Sequence, residues 1–422
     1  MQSENKIKIT SLFTFEVIAS LVALVGMLID FYGRISGHFN SLDPTMGITR
    51  YAYFMVGITC ISILILFMQG IVNNKGGLFI WLPVVYVLLG FMSTVISGLY
   101  PVQRLPFKFV EVFYWAAVML LSYYSVLSLN TTKFHIAIVV LAIPFLSYSF
   151  FMMRGSEISS AFLLLNPVYC IAYLMPVVLL LRSKVFKVIG LLLIFVVVVL
   201  SYKRLAILAY SASILVYFYC LSKTSSNAGL WRTITAFLGV VMFIAVLAFS
   251  FRYLAGAFGL EWGARMGDIA ESGGSGRLDI WREIISALKA QPEYLLIGHG
   301  YEALLINMDV WAHNDFLEIL YSFGMVGLTI YLMFIAKLAR IFFEMRRLKY
   351  KHFDAFGVSL VWFAFGSMFS ILVNRPEWFL GIAMFWGITV ADFENAKRQG
   401  DLAEVDDSLS TCQYDDEDAA ED

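Results

Sequence analysis

The chain has 422 residues, 60% of them hydrophobic and only 14% charged, with a mean hydropathy of +0.78 and a formal net charge of -1. Soluble proteins carry about 25% charged residues, so this composition cannot cover a water-facing surface and excludes a soluble globular fold. Lys and Arg are scattered at segment ends, which excludes a nucleic-acid-binding patch.

Apolar runs of roughly 20 residues, long enough to cross a bilayer, predict about twelve spans. They fall near 11–30, 51–72, 78–100, 109–129, 135–153, 161–181, 185–202, 205–222, 234–254, 314–336, 354–373 and 377–393. The expected fold is all-α, a polytopic membrane helix bundle with one large periplasmic loop before the tenth helix. Spans one to nine occupy 1–254, the loop 255–313 and spans ten to twelve 314–393, and an acidic tail follows over 394–422. The first apolar run follows MQSENKIKIT without a small-residue cleavage site, so it reads as a retained span rather than a signal peptide. Cys60, Cys170, Cys220 and Cys412 have no metal or disulfide spacing, and the three in apolar runs read as small buried hydrophobes.

Orientation follows from the positive-inside bias. With both termini inside, the inner loops hold Lys75, Lys133, the RSKVFK cluster at 182–187, Lys223, Arg232 and the densest basic run, RIFFEMRRLKYK. The loop at 255–313 then faces outward, where no nucleotide is available. Lys203 and Arg204, in the hairpin tip SYKR, fall on that outer side against the bias. They read either as snorkelling interface anchors or as an anion site. The tail, GDLAEVDDSLSTCQYDDEDAAED, is acidic and nearly free of bulky apolar residues, so it is expected to be a disordered cytoplasmic segment able to meet a basic partner.

The outer loop gathers the residue types that chemistry on a polar substrate needs. Its first part, GLEWGARMGDIAESGGSG, is Gly-rich. A helix is expected from Gly276 or Arg277, capped by Ser275 and ended by Pro292, with Leu278, Trp281, Ile284, Ile285 and Leu288 at helical spacing. Such a helix lies on the membrane surface or against the bundle. Arg277 in its first turn sits where free N–H groups and the helix dipole favour a phosphate. His299, between Gly298 and Gly300, reads as a loop residue. His313 falls where the loop becomes a membrane helix that Asn314 can cap. A helix N-terminus lowers a histidine pKa and keeps the ring neutral, fit to act as a general base or to orient a hydroxyl. A lone interface histidine is, by itself, more often structural. Capping and surface solvation account for Asp315 and Glu318, and Gly324 and Gly327 suit close helix packing.

GRLDIW at 276–281, GHG at 298–300 and AHNDFLEILYSFGMVGL at 312–328 resemble the signature region of the O-antigen ligase and O-antigen polymerase superfamily of integral-membrane glycosyltransferases. Arg204, at the outer end of an earlier span, matches a further arginine of that pattern. The resemblance implies a glycan donor on undecaprenyl diphosphate at the outer face of the bacterial inner membrane, and transfer to a sugar hydroxyl. It implies no cofactor, no metal and no nucleotide sugar. Arg204 and Arg277 would hold the diphosphate as leaving group, and His313 would activate or orient the acceptor. Lys203, Arg265, Arg282, Trp281 and Asn314 are candidate binders of phosphate or sugar, and Arg252, Arg375, Trp262 and Trp311 lie near the same path. Trp281 reads as a sugar-stacking face or an interface anchor. The favoured activity is polymerisation of lipid-linked repeat units into O-antigen, capsule or exopolysaccharide. The alternatives are a ligase delivering glycan to lipid A core, and a lipid-linked oligosaccharide flippase. Expected partners are the lipid-linked oligosaccharide, an acceptor glycan, membrane lipid, a chain-length regulator and a flippase, with no nucleic acid.

Overall fold

A computed structural model describes residues 15–35, 57–62, 77–100, 105–155, 167–201, 203–224, 233–234, 237–241, 243–246, 276–370, 372 and 376–400. The helices are α1 (Phe15–Ile35), α2 (Gly77–Ser97), α3 (Leu105–Leu129), α4 (Thr132–Gly155), α5 (Val168–Ala172), α6 (Met175–Leu179) and α7 (Lys184–Leu200). They continue as α8 (Arg204–Thr224), α9 (Arg277–Ala290), α10 (Ala303–Met308), α11 (Asp315–Arg347), α12 (Phe353–Phe369) and α13 (Pro376–Arg398). Six of the described helices are long and apolar enough to cross a membrane, and α5–α6 and α12 are shorter apolar helices. The protein is a polytopic helical membrane protein, as the apolar runs predict. The expected spans at 51–72 and 234–254 lie largely outside the described residues.

Two expected spans differ from plain helices. The run at 161–181 breaks into α5 and α6 at Tyr173–Leu174, because Pro176 has no N–H to continue the ladder and starts a new helix instead. The tenth span is longer than its apolar run: α11 has 33 residues, about 50 Å, against a hydrocarbon core of about 30 Å. In its last turns Arg346 and Arg347 are exposed, while Ile341 and Met345 stay buried.

Lipid offers no hydrophobic drive between helices, so packing and backbone approach hold the bundle together. The central contact is α3 against α13. Gly387 faces the Met119 carbonyl, where any Cβ would clash. Around it Trp115 packs on Phe379 (5.1 Å), and Trp386 on Phe363 (5.2 Å) and Phe334 (5.7 Å). Cys170 and Cys220 are buried as expected, whereas Cys60 is exposed.

Polar ties fasten the two ends separately. At one end the Tyr301 hydroxyl donates to Val87 O (2.9 Å), and Lys108, 5% exposed, bridges Glu302 (2.7 Å) and Glu111 (3.1 Å). At the opposite end Asp392 accepts from the Tyr350 (2.6 Å) and Thr132 (3.2 Å) hydroxyls, and Ser20 meets His135 Nε2 (2.7 Å). These ties make the helices run alternately between the ends. The starts of α8, α9 and α11 share the first end.

Candidate functional site

Each candidate side chain is delivered by a helix start. Arg204 opens α8, directly after Lys203, whose backbone N–H donates to Ser201 Oγ (3.2 Å). Arg277 is the first residue of α9. The cap is not the expected Ser275, which lies outside the described residues, but Gly276 with φ +75°, a left-handed conformation that favours glycine. The helix ends at Ala290 ahead of Pro292, as predicted. Of its apolar residues, Ile284 and Leu288 are buried in a small core with Ala303, Leu304, Ala312 and Tyr321, while Leu278 and Ile285 stay exposed. The helix therefore packs one face against the protein.

His313 sits immediately before the α11 cap, at φ +49°. Two bonds set its place. Trp281 Nε1 donates to the carbonyl of the preceding Ala312 (2.7 Å), and the Ala312 N–H donates to Glu318 Oε2 (3.2 Å). Asn314 caps α11 as expected, accepting from Leu317 N (3.1 Å), and its amide nitrogen donates to Met368 O (3.2 Å). Asp315 accepts from Leu372 N (2.8 Å) and the Tyr331 hydroxyl (3.1 Å). Asp315 and Glu318 are both fully buried, which corrects the surface-solvation reading: they are internal acceptors that pin the start of α11.

The loop before this helix is stitched to it by backbone. Gly324 breaks α11 with φ +65° and ψ −167°, a conformation open essentially to glycine alone. Around the break, Gly300 N donates to Ser322 O (2.6 Å), His299 N to Tyr321 O (3.1 Å), Met325 N to Leu295 O (2.8 Å) and Val326 N to Leu296 O (3.2 Å). Non-helical backbone at membrane depth survives only when protein satisfies it, and here residues 295–300 do so. Gly324 is thus the site of a helix break rather than of helix packing, and its missing Cβ makes room for the Leu296 carbonyl. His299 is 2% exposed and stacks between Tyr294 (4.0 Å) and Tyr321 (4.5 Å), the structural loop residue that was expected.

Lys203, Arg204, Arg277 and His313 converge electrostatically. Burial first, and then the positive charge of Arg277, pulls the Lys203 ammonium down to about 8. Arg277 is held below its usual range by burial first; the Tyr169 hydroxyl opposes the shift and the Arg204 charge adds to it. His313 is lowered by burial first and then by Arg277 and Lys203. Burial and the neighbouring cations thus favour the neutral ring. Among the described residues, neither Arg277 nor His313 has a hydrogen-bond or ion-pair partner. Cations brought together repel one another, and an anionic ligand relieves that repulsion.

Other candidates fall elsewhere. Arg282 lies five residues beyond Arg277, about 140° around the helix. It is 75% exposed and pairs with Asp279 (2.8 Å), so the structure does not bring it to the cluster. Trp281 is half-buried with its indole N–H engaged, and both polar ends of the Asn314 amide are engaged. Arg252, Trp262, Arg265 and Arg375 lie outside the described residues. Tyr169 is the residue that sequence reasoning missed. It is buried on α5, against Trp378 (5.5 Å) and Tyr173 (5.6 Å), and within electrostatic reach of Arg277. A single tyrosine in an apolar run, more than a hundred residues from Arg277, carries no signal of this.

Fold and site together define a multi-pass membrane protein with a cationic, histidine-bearing face. Residues 189–332, which hold Lys203, Arg204, Arg277 and His313, match the O-antigen ligase family model. Over those residues the chain is similar to the O-antigen ligase family. No curated protein matches the chain.

Proposed function

We propose that this protein is a polymerase of lipid-linked oligosaccharide repeat units, transferring glycan from undecaprenyl diphosphate to a sugar hydroxyl at the periplasmic face of the bacterial inner membrane. The observation that carries the reading is the convergence of Lys203, Arg204, Arg277 and His313 from three separate stretches of chain. The donor is a diphosphate ester, and this cluster has the charge and the forked donors to bind it. His313, neutral and without a partner among the described residues, takes the proton of the acceptor hydroxyl. The hydroxyl oxygen bonds to the anomeric carbon as the bond from that carbon to the phosphate oxygen breaks, with inversion. The electron pair leaves on the diphosphate, where the cations stabilise it. Asn314 and Trp281 act by holding His313 in place. The chain works beside a flippase and a chain-length regulator, with both termini cytoplasmic.

A ligase uses the same donor site with lipid A core as acceptor, and the matching family is named for that activity. Profiling of surface and lipid-linked glycan in a deletion strain separates the readings. Single repeat units on the surface, with long chains gone, support the polymerase. Long chains stranded on undecaprenyl diphosphate with bare lipid A core replace it with the ligase. Single units trapped on the cytoplasmic face reject the enzyme reading in favour of a flippase.

A further inference from the structure

The end of the bundle away from the site carries an open groove of about 290 Å³ between α11, α13 and the start of α2. Its floor is apolar, with Phe79, Ile341 and Phe393, and its rim carries Lys337, Lys397 and Arg398. Lys397 pairs with Glu344, and Arg398 with Glu394 at 3.6 Å, yet these two cations remain 42% and 49% exposed. Arg340, Arg346, Lys349 and Lys351 are exposed on the same end and extend the positive face beyond the rim. Among the described residues, its carboxylates are Glu344, Glu394, Asp392 and the largely buried Asp354, still fewer than the seven cations.

The chain leaves α13 directly beside this groove. Residues 401–422 carry ten carboxylates, at 401, 404, 406, 407, 415–418, 421 and 422, and no Lys, Arg or His. Twenty-two residues of flexible chain would span about 26 Å root-mean-square, a length that reaches the groove. Tethering supplies an effective concentration in the millimolar range, and even a weak intrinsic affinity then gives occupancy.

We propose that this groove is the docking site of the chain's own acidic C-terminal segment, with tail carboxylates on the rim cations and Leu402, Val405 or Leu409 against the apolar floor. The inference is independent of the chemistry at the other end. It turns on opposite charges placed at one helix terminus, and it gives the tail an intramolecular partner in place of free solvation.

The test is the rate of maleimide labelling at Lys337→Cys in the full-length protein, in zwitterionic detergent, with Cys60→Ser and Cys412→Ser removing competing thiols. A chain ending at Gly400 is the comparison, and Arg340→Cys is a second reporter should Lys337→Cys fold poorly. Labelling roughly fivefold slower in the full-length chain is expected for a weak site facing a millimolar tether. The difference should vanish near 1 M salt, where the Debye length is about 3 Å. Equal rates in the two chains at low salt overturn the proposal. It is also overturned if phosphatidylglycerol nanodiscs slow labelling of the truncated chain as much as the tail slows the full-length one, since the groove is then a lipid-headgroup site.

Discussion

The indole nitrogen of Trp281 donates to the carbonyl oxygen of Ala312 at 2.7 Å, and so ties α9 to the residue directly before His313. One bond thereby couples the helix that begins with Arg277 to the imidazole. Trp281→Phe keeps the ring and removes the donor. Turnover should fall roughly five- to tenfold, the worth of about one neutral hydrogen bond, with KM for donor nearly unchanged. A rise in KM at constant turnover would instead show Trp281 binding sugar.

Arg277→Ala and His313→Ala should each lower activity by about 10²-fold or more while protein in the membrane stays at the wild-type level. Arg204→Lys should cost roughly ten- to a hundredfold, because an ammonium cannot reproduce the planar fork. In vivo glycan length and membrane abundance, measured together, decide this. Wild-type glycan from either alanine variant removes that residue from the site.

Lys203 sets an alkaline limit. Its ammonium is pulled down to about 8, so its charge is lost as pH rises through that value. kcat/KM for the lipid-diphosphate donor should decline above pH of about 8, while kcat holds to higher pH because the bound anion favours the charged form. Lys203→Arg should flatten the alkaline limb. On the acid side His313 is held below the usual histidine range, so the rate should persist below the pH at which an ordinary histidine protonates.

Gly324→Ala should damage the fold as well as activity. The backbone there is left-handed and extended, and a Cβ would meet the Leu296 carbonyl. The backbone strain alone costs of order 1–3 kcal/mol. Thermal unfolding in detergent should show the loss, whereas Gly98→Ala, with φ +63° but open space around it, should be milder.

Much of the architecture is legible in the sequence, because a membrane demands uninterrupted apolar length and the chain displays it. Part of the cationic cluster is legible for a related reason: Lys203 and Arg204 are anomalous where they stand, and Arg277 is marked by its helix start and the glycines beside it. What escapes is whatever depends on three dimensions. Gly324 and Gly327 look alike in sequence, yet only Gly324 breaks its helix, because the backbone of 295–300 comes alongside it. Asp315 and Glu318 look like solvated residues at a helix start until Leu372, Tyr331 and Ala312 close over them. The placing of Arg282 was open to simple helical geometry, since five residues turn it away from Arg277. Tyr169 had no such signal.

The backbone seam between residues 295–300 and the broken helix bears on how the molecule is assembled. Its bonds join groups no more than thirty residues apart, such as Met325 to Leu295 and Gly300 to Ser322. The bonds that dock this unit to α2, Tyr301 to Val87 and Ser93 to Ser322, span 214 and 229 residues. Closing the short loops costs far less chain entropy than closing the long ones. The hairpin of α9, the glycine loop and the upper part of α11 is therefore expected to form as a local unit before it closes onto the earlier helices. Under the proposed function, a chain in which this unit has not yet closed carries Arg204 without Arg277 and His313 beside it.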